Sequence, residues 1–514
     1  RSPAATGATQ KLVSPGRSFT KNRQFRAPLP SLARPSSEVR KPLAPSPCWV
    51  NSMAGRNSLA ALSTSATVIS ACQGRAAYTR LAPLPKSISS ATVSQVAGDE
   101  AVHPASDPEV SPAAGTHRLK IAQHPATHTT LRIVLELDGE RIVRAIPHIG
   151  YLHSGFEKLG EHHDYNQFVC TCSRMNYVSP ISNDIAWHHA VEKLFGIDLT
   201  PRCKVVRTIL AELGRIQDHL LCVGAAALDL GAFTAFLYGF NERERIYDIM
   251  DYISGQRFHP DYTRVGGTMA DLPDEAMFKK MVKSFLYEAL DPSVEDIEGL
   301  LNKNRIFRDR TEGIGAITKD EATAWSLTGP IARAAGQRRD LRKDEPYLCY
   351  ADNWDGQGSS AVKFKVPIMN TGDCYARFRV RVEELKQSKY IIEQLIDDIP
   401  GGPMNVDDDG KVLKPDKKSV YGSIEGLIQH FELVMWNRGW KAPLAEVYAA
   451  QETANGELGW FIVGAGGPKA WRAGCRPPSF INYQVFAKLM EGHLLSDLVA
   501  ILGSLNVIAA ELDR

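Results

Sequence analysis

The feature that most restricts the fold is a series of long segments in which apolar residues recur with helical spacing. After Thr200-Pro201, a good N-cap and first-turn pair, apolar side chains recur at three- and four-residue steps from Val205 to Val223. Six further helices are predicted, with little strand between them, and together they indicate a helical-bundle core. They are Ile181 to Phe195, Phe233 to Ser254, Asp274 to Asn302, Cys374 to Ile399, Ser419 to Trp436 and Tyr483 to Leu505.

Two smaller regions have the pattern of β-structure. Leu131 to Leu137 and Ile142 to Ile146 flank Asp138-Gly139, and an Asp-Gly pair supplies the positive φ angles of a tight hairpin turn. A C-terminal β patch is predicted from Ala445 to Gln451 and Gly459 to Val463, around a turn at residues 454–456. The expected fold is mainly α with small β-sheets (α+β), in which a helical core lies between an N-terminal β-hairpin region and this β patch.

The N-terminal part of the chain differs from the rest in charge. Residues 1–98 hold 13 Lys or Arg against one acid, Glu38, and are rich in Ser, Ala and Pro. This composition is typical of a mitochondrial or plastid transit segment, and a start at Met53 would leave residues 1–52 upstream of the true start. We expect a linker at 99–118 and a folded domain at 119–514. Its expected parts are a β region at 119–150, the helical core at 180–440, and the β patch with a C-terminal helix at 441–514.

Composition and motifs also argue against several classes of function. Beyond residue 98 the chain has 47 basic and 57 acidic side chains, which argues against a nucleic-acid partner. Nine cysteines without a C-x-x-C pair favour neither a zinc ribbon nor a disulfide framework. No apolar run reaches the ~18 to 20 residues of a membrane helix, so membrane contact is expected through partners. A nucleotide cofactor is not expected, because there is no Walker loop and no G-x-G-x-x-G between a strand and a helix.

Titratable side chains are concentrated in one part of the chain. Of the 14 histidines, 11 lie between His103 and His219, and residues 147–179 add carboxylates, thiols and tyrosines. Such crowding indicates a region that handles protons or a ligand, although each histidine alone is more often a surface or core residue. His124 and His128 are four residues apart, but Pro125 argues against the helix that would make them metal ligands. No metal site is predicted.

Two further observations concern single side chains. Asp229 lies in an almost wholly apolar stretch, where an unpaired carboxylate would cost on the order of several kcal/mol, so we predict a partner for it. The alternative is a carboxylate at a helix C-terminus that interacts with solvent. Cys170 and Cys172 have the spacing of a possible soft-metal pair, yet without a second pair they are more often two small buried thiols.

Nine motifs occur in order from about Ala122 to the C-terminus, over the whole predicted domain. They are His148-Ile-Gly150, Glu157-Lys158-Leu159, Arg174-Met-Asn-Tyr-Val-Ser179, Ala227-Leu-Asp-Leu-Gly-Ala232, Asn304-Arg-Ile-Phe307, Asp340-Leu-Arg-Lys343, Gly372-Asp-Cys-Tyr375, Arg381-Val-Glu-Glu384 and Glu511-Leu-Asp-Arg514. Together they resemble the 49-kDa (NuoD-type) core subunit family of respiratory complex I, NADH:ubiquinone oxidoreductase. The resemblance implies a fold like the large subunit of nickel-iron hydrogenases with the cysteine ligands of the metal lost. In agreement, residues 153–157 and the C-terminus contain no cysteine.

The resemblance also implies a function and a set of site residues. The chain would pair with an iron-sulfur subunit and with other subunits of complex I, including the membrane arm, on the matrix side of the mitochondrial inner membrane. Ubiquinone would be the substrate, and this chain would carry no prosthetic group. Tyr177 and His128 would hold the quinone oxygens, and Asp229 would pair with His128. His124 would lie in the quinone loop, and Arg174 and His259 would lie against the iron-sulfur cluster of the partner.

Several residues depart from the family pattern and motivate alternatives. Thr129 replaces a glycine in the quinone loop, and Ser154 stands where arginine is common. Ser173 and Asn176 stand where aspartates are common around Arg174, and Ala376, Asn506 and Ala509-Ala510 are also unusual. One alternative is therefore a structural or assembly paralogue with impaired quinone chemistry. A membrane-bound hydrogenase-like subunit is a weaker alternative, because C-x-x-C pairs are absent.

Overall fold

The computed structural model describes residues 117–121, 130–406, 415, 417–435 and 440–514, with side chains from residue 130 onward. All of them belong to one unit, Ser106–Arg514. The first strand begins at His117, close to the predicted start of the folded domain. The predicted transit segment, almost all of the predicted linker, and both His124 and His128 lie outside the described residues.

The helices follow the predicted periodicity over most of the described chain. The N-terminal half contains α1 Phe156–His162, α2 Val169–Cys172, α3 Pro180–Phe195, α4 Pro201–Asp229, α5 Phe233–Ser254, α6 Glu275–Ser284, a π-helical turn Phe285–Leu290, α7 Asp291–Asn302 and α8 Arg305–Asp309. The remainder contains α9 Lys319–Ala324, α10 Gly329–Ala334, α11 Leu341–Asp344, a 3₁₀ turn Leu348–Tyr350, α12 Cys374–Ile396, α13 Lys417–Gly422, α14 Ile424–Val434, α15 Pro478–Tyr483, α16 Phe486–Met490, α17 Asp497–Leu505 and α18 Ala509–Asp513.

The longest helix, α4, lies at the centre of the bundle and packs against α3, α5, α12 and α17. Its start is fixed as predicted, because the Thr200 hydroxyl accepts a hydrogen bond from the backbone N–H of Cys203 at 3.3 Å. Nearly every side chain from Arg202 to Ala225 is buried, including charged ones, because neighbouring helices surround α4. The apolar stripe from Val205 to Val223 therefore describes only part of the buried surface of this helix.

Two three-stranded antiparallel sheets lie at the ends of the described chain and confirm the predicted fold class. The first has the order β1 His117–Ile121, β2 Arg132–Asp138, β3 Arg141–His148, with Gly139 at positive φ in the hairpin turn. A two-stranded ribbon, β4 Thr263–Arg264 and β5 Gly267–Thr268, lies between the sheets in sequence. The second sheet has the order β6 Glu446–Thr453, β7 Gly456–Gly464, β8 Ala470–Arg476, with Thr453 paired to Gly456 across the predicted turn. The outer strands β1 and β8 were not predicted.

Two of the predicted helices are wrong in extent. The segment Tyr483 to Leu505 is not one helix, because Gly492 has a φ of 82° and the chain after α16 pairs with the edge of β3. There Gly492 N–H donates to the Ile142 carbonyl at 2.8 Å, and Ile142 N–H donates to the His493 carbonyl at 2.9 Å. The segment Ser419 to Trp436 breaks at Ser423, whose hydroxyl caps α14 by accepting from the backbone N–H of Gly426 at 3.1 Å.

Candidate functional site

Tyr177 lies on a short, tightly held turn between α2 and α3. The side-chain oxygen of Asn176 accepts hydrogen bonds from the backbone N–H groups of Val178, at 3.1 Å, and Ser179, at 3.3 Å. Pro180 then begins α3 with a φ angle already suited to a helix. The turn is therefore fixed by its own side chain, and it presents the half-buried ring of Tyr177 from a rigid base.

A close helix contact holds this turn against the central helix. A Cβ at Gly214 of α4 would lie 2.9 Å from Cγ2 of Ile181 and 3.1 Å from the hydroxyl of Ser182. Only glycine permits α3 to approach α4 so closely just after the turn. From the other side Arg243 of α5, itself buried, donates to the Val178 carbonyl at 3.4 Å. The position of Tyr177 is thus set jointly by α3, α4 and α5.

A buried carboxylate on α4, that of Asp218, lies directly behind the turn. It is fully buried and accepts hydrogen bonds from the side-chain amide of Asn176 at 3.2 Å, the hydroxyl of Ser179 at 3.2 Å and the side-chain amide of Asn506 at 2.7 Å. Burial and then the negative charge of Asp218 raise the pKa of Tyr177 to about 12. The phenol of Tyr177 is therefore an even weaker acid than an ordinary tyrosine, which is already protonated near neutral pH.

Polar groups continue from Asp218 toward the C-terminus of the chain. The Asn506 amide also donates to the side-chain oxygen of Asn455, which lies in the turn between β6 and β7. Near it Glu511 is fully buried and accepts a hydrogen bond from the hydroxyl of Ser479. Burial raises the pKa of Glu511 to about 8, and the negative charge of Asp218 acts in the same direction. Residues distant in sequence thus form one buried polar chain behind Tyr177.

Asp229 is the last residue of α4 and is half-buried. It follows Asp218 by eleven residues, which corresponds to about three turns, or ~16 Å, along nearly the same face of the helix. Asp218, which lies behind the Tyr177 turn, and Asp229 are therefore on nearly the same face of α4 at different heights along it. Whether Tyr177 and Asp229 share a cavity with His128 stays a prediction, because His128 and His124 lie outside the described residues.

The positive charge of Arg174 acts on the ring of His259. Arg174 is exposed and donates to the hydroxyl of Ser173 at 3.0 Å and to the carbonyl of Cys170. Desolvation and then the positive charge of Arg174 lower the pKa of His259 to about 4, so this imidazole is neutral near pH 7. The ring of His259 packs edge-on against Phe258, with centroids 4.6 Å apart.

The same region contains an acidic residue that the sequence did not single out. Asp184 of α3 is fully buried, and within the described part of the chain neither of its carboxylate oxygens has a hydrogen-bond partner. Burial, reinforced by the charge of Asp261, raises its pKa well above the ordinary value, while Arg264 and Arg174 act in the opposite direction. The carboxyl group of Asp184 is therefore favoured in its neutral form.

The two thiols of the predicted pair have different surroundings. Cys172 is buried, as expected for a small core residue, whereas Cys170 is exposed. Burial raises the pKa of the Cys172 thiol well above its ordinary value. Among the described residues, no group of three or more His, Cys, Asp or Glu side chains is arranged to hold a metal ion.

The segment that would hold the metal in a hydrogenase-like fold contacts the C-terminus. The backbone N–H groups of Gly150 and Leu152 donate to the Asp513 carboxylate at 2.8 and 2.7 Å. The His153 ring is 2.8 Å from the Asp513 carbonyl, and Arg514 forms an ion pair with Glu157 at 3.5 Å. Hydrogen bonds and an ion pair therefore join residues 150–157 directly to the C-terminus of the chain.

Sequence reasoning missed a buried ionic network that crosses the middle of the bundle. Arg333 forms ion pairs at 2.8 Å with both Glu384 and Glu452, and Arg342 pairs with Asp340 at 2.8 Å and Glu212 at 3.1 Å. All of these side chains are buried. The sequence contained one signal for this network, the charged residues within motifs 340–343 and 381–384. Helical spacing alone assigns such residues to a solvent-exposed face, so it did not reveal their pairing.

Comparisons with known proteins show the family of the chain. A family model described as the 49 Kd subunit of respiratory-chain NADH dehydrogenase matches residues 229–514. The D-type subunit of NADH-quinone oxidoreductase from Methylacidiphilum infernorum is 46% identical over 393 residues, which cover 76% of this chain and 90% of that protein. The corresponding subunit of Akkermansia muciniphila is 45% identical over 391 residues, covering 76% and 91%. The D 2 form of the same subunit from Rhizobium etli is 45% identical over 392 residues, covering 76% and 94%.

These matches span the described core and extend over most of each relative. They include the end of α4 at Asp229, the motifs that build the buried ionic network, and the C-terminal segment that contacts residues 150–157. The chain belongs to the family of the 49-kDa subunit of respiratory-chain NADH dehydrogenase, a core subunit of the complex I enzyme.

Proposed function

We propose that this chain forms the ubiquinone-reduction site of mitochondrial complex I together with an iron-sulfur partner subunit, and that Tyr177 donates a proton to the reduced quinone. The chain itself supplies binding and proton transfer, whereas the electrons come from the iron-sulfur cluster of the partner. Other subunits of the complex, including the membrane arm, couple this step to proton pumping. The membership of the chain in the 49-kDa family supports this proposal.

The observation that carries the proposal is the environment of Tyr177. Its ring is half-buried on a fixed turn, and its pKa is raised to about 12, so the phenol retains its proton until a strong base is present. Neutral quinone is a weak base, whereas the reduced quinone is strongly basic. A phenol in this position would therefore donate only after reduction, which is the order that the reaction requires.

The other candidate residues have complementary roles in the proposal. His128 would bind the second quinone oxygen, and the carboxylate of Asp229 at the end of α4 would favour its imidazolium form before reduction. Arg174 and His259 would face the iron-sulfur cluster. Because His259 is neutral near pH 7 and Arg174 is exposed, this face presents one positive charge on a flexible side chain to the partner.

The test is Tyr177→Phe in the assembled complex. This change keeps the packing area of the ring and removes one hydroxyl, so assembly and electron transfer from NADH to an artificial acceptor are expected to be unchanged. Ubiquinone reduction is expected to fall by roughly 10² to 10⁴, the usual effect of losing a general acid. Tyr390→Phe is the matched control, because Tyr390 is exposed on α12.

The alternative, a structural or assembly paralogue, rests on the departures at Thr129, Ser173 and Asn176, of which Thr129 lies outside the described residues. In the structure the other two residues are well accommodated: Ser173 accepts a hydrogen bond from Arg174, and Asn176 holds the turn and donates to Asp218. These contacts fit either function, so the Tyr177→Phe test decides between them. Undiminished ubiquinone reduction by an assembled Tyr177→Phe complex would favour the paralogue instead.

Location is the remaining part of the proposal. The acid-poor basic composition of residues 1–98 supports import into mitochondria. In the described part of the chain, no helix has both the length and the apolar character needed to cross a membrane. From the basic composition of residues 1–98 and the family of the chain, we propose a location on the matrix side of the inner membrane, where the chain would be held by its partners.

A further inference from the structure

Two asparagines from distant parts of the chain contact the same buried side chain. Asn176 and Asn506 lie more than 300 residues apart, yet both donate to the carboxylate of Asp218, one to each oxygen, at 3.2 and 2.7 Å. Ser179 adds a third hydrogen bond at 3.2 Å. Because all three side chains are buried and each amide donates to a different carboxylate oxygen, the three positions depend on one another.

The direction of the contact between Asn176 and Asp218 is fixed by the backbone. The side-chain oxygen of Asn176 accepts from the N–H groups of Val178 and Ser179, so its amide nitrogen must face Asp218. Asp218 in turn has no ion-pair partner among the described residues and accepts from neutral donors only. The buried guanidinium of Arg243 acts on this carboxylate only through its charge, whereas the hydrogen bonds that hold the turn come from neutral donors.

Residue 176, directly before Tyr177, is an amide, and the carboxylate lies across the hydrogen bond from it, on Asp218. We propose that Asp218 is the positioning residue for Tyr177: it holds the turn through Asn176 and Ser179 and supplies the negative charge that residue 176 does not provide. This inference rests on the proposed function. It identifies which residue of this chain keeps the Tyr177 phenol in place for the reduced quinone.

The first test exchanges the two side chains in the assembled complex. In Asp218→Asn, residue 218 retains one acceptor oxygen, so one of its three donors faces an NH₂ group and the negative charge is lost. The combined variant Asn176→Asp with Asp218→Asn restores the hydrogen bond with the opposite direction and keeps the net charge. We expect ubiquinone reduction to fall about tenfold in Asp218→Asn and to recover to within about threefold of the parent in the exchange variant.

The second test asks whether Asp218 acts through Tyr177. In a Tyr177→Phe background the hydroxyl is absent, so Asp218→Asn should lower ubiquinone reduction by no more than about twofold further. A purely structural role would instead give the same fold loss in both backgrounds. Electron transfer from NADH to an artificial acceptor is measured on every preparation to correct for yield. Asp251→Asn, the same change at an exposed residue of α5, is the control and should leave both activities unchanged.

The outcomes distinguish a failure of this inference from a failure of the proposed function. A large loss in Tyr177→Phe with no effect of Asp218→Asn overturns only the role of Asp218. Undiminished activity in Tyr177→Phe overturns the proposed function itself. If Asp218→Asn does not assemble, the exchange variant tests the role of Asp218 instead. Recovered assembly and activity support the inference, whereas an exchange variant that is inactive or does not assemble overturns it.

Discussion

The Nε2 atom of His219 lies 2.7 Å from the carboxylate of Glu384, and both side chains are fully buried between α4 and α12. Burial lowers the pKa of His219 even though Glu384 opposes this, so the ring is neutral and donates Nε2–H to the carboxylate. The other oxygen of Glu384 pairs with Arg333, which also contacts Glu452 of the C-terminal sheet. The Glu384 carboxylate of α12 therefore contacts the central helix α4 directly, and through Arg333 of α10 it is linked to the C-terminal sheet.

Glu384→Gln should destabilise the folded chain, because it leaves the buried guanidinium of Arg333 with less opposite charge. Breaking one partner of a buried pair typically costs about 3 to 5 kcal/mol, which is enough to reduce the amount of assembled complex strongly. Native electrophoresis of membranes from the variant strain measures this amount. Glu383→Gln, at the neighbouring and partly exposed residue, should assemble normally. Equal amounts of complex in both variants would show that the network contributes little to stability.

Glu511 should make the stability of the folded chain depend on pH. Its pKa is about 8 in the folded chain and near the ordinary value of 4.5 when unfolded. Between these values the unfolded chain binds fewer protons, so the contribution of Glu511 is present below about pH 4.5 and is lost as pH rises through 8. Glu511→Gln removes this titration. The free energy of unfolding of Glu511→Gln, relative to that of the parent, should therefore rise by up to ~1.4 kcal/mol per pH unit between pH 6 and pH 8. Its thermal midpoint, measured at both pH values, should rise relative to that of the parent in the same direction.

The control for this pH effect is Glu345→Gln, which makes the same chemical change at an exposed carboxylate. Its thermal midpoint should differ from that of the parent by the same amount at pH 6 and pH 8. A Glu511→Gln variant whose difference from the parent is also constant over this range would contradict the raised pKa of Glu511.

The fold could be predicted from the sequence where local spacing and capping decide it. Phe233–Ser254 matches its predicted helix at both ends, and the Thr200 cap fixes the start of α4 as expected. The prediction failed at Gly492, where pairing with a strand about 350 residues away interrupts the helical pattern. Such a contact depends on tertiary structure and is not contained in local periodicity.

The site was predictable only in part for a related reason. Motif resemblance pointed to Tyr177 and Asp229, but Asp218, the residue behind the Tyr177 turn, lies in a helix whose apolar spacing makes it look solvent-exposed. Only the burial of α4 on all sides brings Asp218 against Asn176 and Asn506. Buried polar clusters assembled from distant segments are therefore the part of this site that required the structure.

Residues 1–98 should act as an import signal and not as part of the folded domain. A fusion of residues 53–98 to a reporter protein should enter isolated mitochondria and become resistant to external protease, because basic, acid-poor segments are drawn inward by the membrane potential. Replacing Arg56, Arg75, Arg80 and Lys86 by Gln in the same fusion should abolish import. If residues 53–98 fail and residues 1–98 succeed, the start at Met53 is wrong.

Gly214→Ala should impair the quinone site from a distance. Alanine favours a helix over glycine by up to about 1 kcal/mol, but the added Cβ would lie 2.9 Å from Ile181, and overpacking of this kind costs roughly 1 to 3 kcal/mol. The expected response is a shift of α3 away from α4 that displaces the Tyr177 turn. Ubiquinone reduction should therefore fall several-fold more than electron transfer to an artificial acceptor. Gly299→Ala is the matched control on α7, since no atom lies within 4 Å of its added Cβ, and it should leave the ratio of the two activities unchanged. A normal ratio in Gly214→Ala would mean that the helix contact does not position Tyr177.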